Sequence, residues 1–145
     1  MSKHFPFMSE LKALSAKEDF DPADKHKVDM MKALVHGADV GNPTRPFDIS
    51  KVWTLKILNE FFSQGDKEKS LGIEVSNLCD RKTTNVAGCQ VGFIGFVVYP
   101  YFEALCSIFP GMKYTLDEMN TNKELWKGSQ DKWAKNLEAD GNAEI

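Results

Sequence analysis

The chain is short of cysteine and histidine, carries no surplus of basic residues and has no unbroken apolar run, and each shortage excludes a class of function. Its cysteines, Cys79, Cys89 and Cys106, are odd in number and none stands two residues from another, which argues against a disulfide framework and against a zinc ribbon and fits a reducing compartment. Eighteen basic against twenty-one acidic residues leave a formal charge of -3, without the electrostatic footprint for a long nucleic acid or an anionic membrane. The histidines are His4, His26 and His36, with no pair four apart and no His-Asp dipeptide, so a complete two-metal centre is not expected from them. The most apolar stretch, Val91 to Phe109, is broken by Pro100, Glu103 and two glycines and reads as buried protein rather than a membrane span. Met1-Ser-Lys-His-Phe-Pro6 lacks the apolar core of a signal peptide and the sequon Asn42-Pro43-Thr44 is disabled by its proline, so a cytoplasmic location is the expectation.

What remains is an ordinary globular composition, 42% hydrophobic over 145 residues, enough for one core that buries roughly 70% of the extended-chain surface. Val28, Met31, Leu34, Val35 and Ala38 recur at steps of three and four and predict an amphipathic helix between Ala23 and Asp39. A second helix is expected from an N-cap at Asp48, with Ile49, Val52, Trp53, Ile57, Phe61 and Phe62 as its buried face and Gly65 as its stop. Asp66 to Gly72 reads as a solvated turn, Ile73 to Asp80 as an irregular connection, and Thr83 or Thr84 as the cap of the next helix. That apolar segment should be kinked or divided at Pro100, and a last helix from Leu116 to Leu137 should bury Met119, Leu125 or Trp126, Trp133 and Leu137. No alternating strand pattern occurs, so the fold class is all-α.

Two features carry possible chemistry. His36 and Asp39 share one helix face near a C-terminal end, where the helix dipole disfavours a carboxylate; Asp39 therefore calls for a cation, a metal or a donor network. Pairing with a Lys or Arg, or a bond to the turn at Asn42, satisfies that need as well. Gln90 sits in an apolar run with Phe93 three residues on, between Gly88 and Gly92. Its amide donates and accepts at once and suits a purine edge with the ring against the base, or a hydrogen bond between core helices. The stripe of Trp53, Phe61 and Phe62 reads as core packing.

The order of these pieces resembles the catalytic domain of the class I 3',5'-cyclic nucleotide phosphodiesterases. The resemblance rests on His36-Gly-Ala-Asp-Val-Gly-Asn-Pro-Thr-Arg-Pro46, Trp53-Thr54, Glu60-Phe-Phe-Ser-Gln-Gly-Asp-Lys-Glu68, Cys79-Asp-Arg81 and Gln90-Val-Gly-Phe-Ile94. Met1-Ser-Lys-His4 is similar to the family's Asp-Met-Ser-Lys-His segment, and the likeness runs over residues 1–127. It implies the helical subdomains of the HD-type phosphodiesterase catalytic domain, incomplete, with residues 1–137 in the partial domain and 138–145 a flexible tail. By resemblance Asp39 is a metal ligand, with zinc and magnesium the metals; Gln90 binds the purine edge, and Phe93 and Ile57 are the walls of a clamp on the base. Asn42 lies beside the purine and leans toward cAMP. Trp53, Thr54, Phe61, Leu78 and Val97 line the pocket, and His36 and Glu60 support it.

In that family two metals activate a hydroxide for in-line attack on the cyclic phosphate of cAMP or cGMP and a histidine protonates the leaving 3' oxygen, giving the 5'-monophosphate. The family's catalytic domain is longer, and its first half carries the His-Asn-x-x-His and His-Asp motifs. Their absence here leaves the base pocket and one metal ligand, so the chain is expected to be inactive alone, to expose apolar surface, and to recruit the missing amino-terminal half or an intact phosphodiesterase. The other reading is a non-catalytic nucleotide-binding or regulatory fragment that docks on an intact phosphodiesterase.

Overall fold

The computed structural model describes residues 3–129, and every regular element among them is a helix. In chain order these are α1 (His4–Ser15), α2 (Lys27–Val40), a 3₁₀ turn at Asn42–Thr44, α3 (Phe47–Ser70), α4 (Val86–Gly92), a π-helical stretch at Phe93–Val98, α5 (Tyr99–Ile108), a second 3₁₀ turn at Pro110–Met112, and α6 (Tyr114–Gly128). The protein is all-α, as its periodicity predicts. The expected burial of Trp133 and Leu137 and the tail at 138–145 lie outside the described residues.

The core is built around α4, the π stretch and α5, which run end to end from Val86 to Ile108. Ile94, Val98, Tyr101 and Leu105 are fully buried there, together with Met119 and Trp126 of α6. The segment is long and apolar enough to cross a membrane by length and composition, and α1, α2 and α6 pack against it. Pro100 does not divide it. The helix widens to π pairing just before the proline, whose missing N–H and ring are thereby accommodated without a break. Asn85, rather than Thr83 or Thr84, caps α4, its Oδ1 accepting from Gly88 N at 2.8 Å.

Both amphipathic helices turn bulky apolar residues outward, on α3 against the expectation. On α2 the buried positions are Met30, Ala33, Gly37 and Val40, while Val28 (64% exposed), Met31, Leu34 and Val35 (70%) face out. The small residues lie inside because α5 comes close: a Cβ on Gly37 would stand 3.0 Å from Leu105 Cδ1. Tyr101 fastens the contact by donating its hydroxyl to Ala33 O at 2.8 Å, and burial pushes its pKa up to about 12.

On α3 the buried positions are Ser50, Thr54, Leu58, Phe62 and Gly65, one helical stripe, while Ile49, Val52, Trp53, Ile57 and Phe61 are exposed. Trp53 and Phe61 are therefore not core, and of the expected face only Phe62 is buried. Pro46 precedes the helix and Asp48 falls in its first turn, where its charge suits the dipole without capping. Gly65 does not stop the helix, which continues through the stretch expected to be a turn as far as Ser70. It lies instead where the chain at Cys79 crosses α3. The irregular loop after Gly72 is strapped to the end of α3 by ion pairs Lys69–Asp80 and Arg81–Asp66 and by Glu68, which accepts from Ser76 N and Oγ. On α6, Trp126 is buried and Leu125 exposed, settling which of the two belongs to the core.

Candidate functional site

Asp39 occupies the penultimate position of α2, with no basic residue in that last turn. Its carboxylate is exposed and takes part in no hydrogen bond or ion pair among the described residues, so neither the pairing with Lys or Arg nor the bond to the Asn42 turn is what meets its charge. It lines a cleft of about 520 Å³ with Asn42, Arg45, Trp53, Ile57 and Tyr114. The exposed apolar faces of α2 and α3 meet at this cleft through Leu34, Trp53 and Ile57.

A carboxylate at the negative end of a helix with no cation in contact fits one corner of a divalent-metal site. It fits no more than that: no three His, Cys, Asp or Glu side chains gather at one point among the described residues, and a metal centre needs three or more protein ligands. When bound, such an ion would activate water and offset phosphate charge.

The polar half of the buried stripe on α3 holds two amides. Thr54 Oγ1 donates to Gln90 Oε1 at 3.2 Å and Ser50 Oγ donates to Asn42 Oδ1 at 3.1 Å, so in each amide the oxygen is held by α3 and the NH₂ is the end left over. Gln90 thus bonds between helices, and its Thr54 partner is the neighbour of Trp53, which opens on the Asp39 cleft. The structure brings Asp39, Asn42, Trp53 and Ile57 to one cleft and ties Gln90 to it through Thr54.

The other positions are more dispersed. Phe93 is half-buried where α4 gives way to the π stretch and packs on the core. Phe61 and Glu60 lie exposed further along α3. Leu78 lines a separate cleft with Asn85 and Cys89 in a left-handed conformation, φ 67°, which is strained for a γ-branched residue and marks a loop held by its surroundings. Val97 is half-buried, and its carbonyl is engaged.

That carbonyl belongs to a pair of histidines, half of which the sequence did not single out. His4 Nε2 lies 3.1 Å from Val97 O and His4 Nδ1 lies 2.8 Å from His36 Nε2. Because a carbonyl only accepts, neutral His4 carries its hydrogen on Nε2, and His36 donates Nε2–H to His4 Nδ1. His36 is thereby committed to structure, tying α2 to α1 and the π stretch. His4 is remote in sequence, and it entered there only as the end of Met1-Ser-Lys-His4, one of the segments that carry the family resemblance.

Burial holds the His4 pKa below its ordinary 6.5; the Val97 carbonyl acts against this, while His36 and the chain's N-terminus add to it. The unfolded chain therefore takes up a proton at His4 before the folded chain does. The stability from this site is complete above its ordinary pKa and is lost as pH falls through the lower folded value. Thermal melts between pH 7.5 and 5 should show the midpoint falling below about pH 6.5, with a shallower fall for His4→Asn. Asp66, Glu68 and Asp80, held below the usual carboxylate range by their hydrogen-bond partners, act in a more acid window. A midpoint unchanged from pH 7.5 to 5 would refute the assignment.

The family pattern for 3'5'-cyclic nucleotide phosphodiesterase matches residues 1–119. The chain belongs to that family. Among curated phosphodiesterases it is 34% identical over 135 residues to the probable 3',5'-cyclic-AMP phosphodiesterase pde-4 of Caenorhabditis elegans, covering 88% of this chain and 20% of that protein. It is 31% identical over 135 residues to the 3',5'-cyclic-AMP phosphodiesterase 4C of Rattus norvegicus, covering 88% and 25%. The solved phosphodiesterase LmjPDEB1, in complex with IBMX, superposes with a TM-score of 0.83 at 35% identity over 91% of this chain and 40% of that one. The phosphodiesterase domain of Salpingoeca rosetta rhodopsin phosphodiesterase gives 0.78 at 25% identity over 95% and 43%. The chain thus spans a fifth to a quarter of these curated phosphodiesterases and about 40% of the solved ones.

Proposed function

We propose that this chain is the base-binding part of a cyclic-AMP phosphodiesterase catalytic domain, able to hold the nucleotide and to supply one metal ligand, Asp39, but not to hydrolyse the cyclic phosphate alone. The observation that carries the reading is the coincidence, among the described residues, of an unpaired carboxylate with two exposed apolar helix faces at one cleft, in a chain matching about 40% of a phosphodiesterase structure. Those faces are where the rest of the domain would pack, since a monomer rarely leaves so much bulky apolar surface open. Its ligands would complete the zinc and magnesium site around Asp39.

Gln90, Asn42, Phe93 and Ile57 would grip the purine, with Trp53, Thr54, Phe61, Leu78 and Val97 around it and His36 and Glu60 behind. Adenine is favoured. With Oε1 held by Thr54, Gln90 presents NH₂, which donates to the N1 acceptor of adenine, where guanine carries a hydrogen. The names of the curated relatives, both cyclic-AMP phosphodiesterases, support the same choice. A regulatory fragment that docks on an intact phosphodiesterase through the same faces is the second reading, favoured by their exposure.

Titration calorimetry with cAMP and 5'-AMP tests the pocket. The chain should bind, and Gln90→Ala should lower affinity by about tenfold to a hundredfold. Thr54→Val, which frees the amide to rotate, should weaken binding less and narrow the preference over cGMP. Equal binding by wild type and Gln90→Ala would remove the base-binding claim.

A further inference from the structure

We propose that Asn122 of α6 is a positioning residue: it pins the turn between α2 and α3 and so sets how Asp39 and Asn42 face the cleft. Asn122 is fully buried, on the same stripe of α6 as Thr115, Met119 and Trp126. Its Nδ2 donates twice, to Pro43 O at 2.9 Å and to Arg45 O at 2.7 Å, across 79 and 77 residues of sequence. One side-chain nitrogen thereby holds both sides of Thr44, in a turn whose Pro43 is itself buried. Asn42, at the head of that turn, has its side chain held from α3 by Ser50. Backbone and side chain of the site are therefore fixed from two different helices.

The other end of Asn122 makes the asymmetry informative. Its Oδ1 is buried and has no hydrogen-bond partner among the described residues. A buried amide with an idle oxygen is costly, and a leucine of similar shape would pack at that position without the penalty. What leucine cannot supply is the double donation to the turn, so the NH₂ group is the part of this side chain that matters. The inference rests on Asp39 and Asn42 forming part of the nucleotide site, which is the functional reading above.

The test is amide hydrogen exchange by NMR on the full chain, wild type and Asn122→Leu, followed by cAMP titration. In Asn122→Leu the Thr44 and Arg45 amides should exchange faster by roughly tenfold or more while Leu105 in α5 keeps its protection. The Asn42 side-chain amide signals should shift, and affinity should fall several-fold. A residue serving stability alone would instead speed exchange throughout and leave the Asn42 signals in place, which would overturn the proposal. If the leucine variant does not fold, Asn122→Ser, with one donor left, should show an intermediate change at Thr44 and Arg45; exchange there equal to wild type counts against it. Should the wild-type chain bind no nucleotide, the functional reading fails, while the local exchange at Thr44 and Arg45 still decides whether Asn122 holds the turn.

Discussion

Purified alone with zinc and magnesium, the chain should release no 5'-AMP from cAMP; mixed with the amino-terminal part of a phosphodiesterase catalytic domain, it should gain metal-dependent hydrolysis. Enzymes owe rate accelerations of about 10⁶-fold or more to a complete constellation of groups, and a metal centre reduced to one carboxylate forfeits nearly all of it. In the functional reading proposed above Asp39 would be that carboxylate, and no group of three possible ligands gathers among the described residues. The portion of LmjPDEB1 not matched by this chain is a suitable complement, because the matched portion superposes with a TM-score of 0.83. Chromatographic detection of 5'-AMP reads the result. Replacing Val28 and Val35 with lysine should block the gain and improve the solubility of the lone chain, since both side chains lie on the exposed apolar face of α2 and outside the cleft. Metal-dependent turnover by the isolated chain, freed of contaminating enzyme, would overturn the proposal.

Gly65→Ala should destabilise the fold more than any other single methyl addition to a described glycine. A Cβ there would stand 2.0 Å from the carbonyl oxygen of Cys79 and 2.7 Å from its carbon, and backbone has no rotamer by which to withdraw. Alanine is the better helix former by about 1 kcal/mol, yet the clash wins: forcing extra volume into a packed site costs about 1–3 kcal/mol or more. The whole strap from Ile73 to Asn85 must lift, straining the ion pairs Lys69–Asp80 and Arg81–Asp66 and the stack of Arg81 on Phe62. A drop in melting temperature of roughly 5–10 °C is expected. Gly92→Ala, also helical but with nothing within 4 Å of the new methyl, should be neutral or slightly stabilising. Equal melting temperatures for the two variants would show that the strap does not lie where the structure has it.

The family and the helical class were legible from local order alone, because motifs such as His36 to Pro46 and Gln90 to Ile94 are contiguous and helical periodicity is a property of neighbours in sequence. The sense of the helices was not. Val28, Met31, Leu34 and Val35 mark an apolar face on α2, and Trp53, Ile57 and Phe61 mark one on α3, yet both point away from this chain's own core. Gly65 reads as a helix stop by composition but lies within a helix at a crossing of two backbones. Of the candidate site, Asp39 and Gln90 were visible as unusual polar residues, and Asn42 through the family resemblance. The bonds from Thr54 to Gln90 and from Asn122 to the turn were not legible, because each joins elements far apart in sequence; Ser50 lies only eight residues from Asn42, but their bond depends on how α3 leaves the turn between them.

What the order of residues determined by itself was therefore which segments coil, which faces are apolar and which family they belong to. Only the tertiary structure decided which face lies inside, which histidines meet and which helix holds the turn beside Asp39. The reason is physical: an apolar stripe gains the same free energy from any surface that removes it from water, whether that surface belongs to its own chain or to another, so periodicity reveals that a face wants covering and leaves open what covers it.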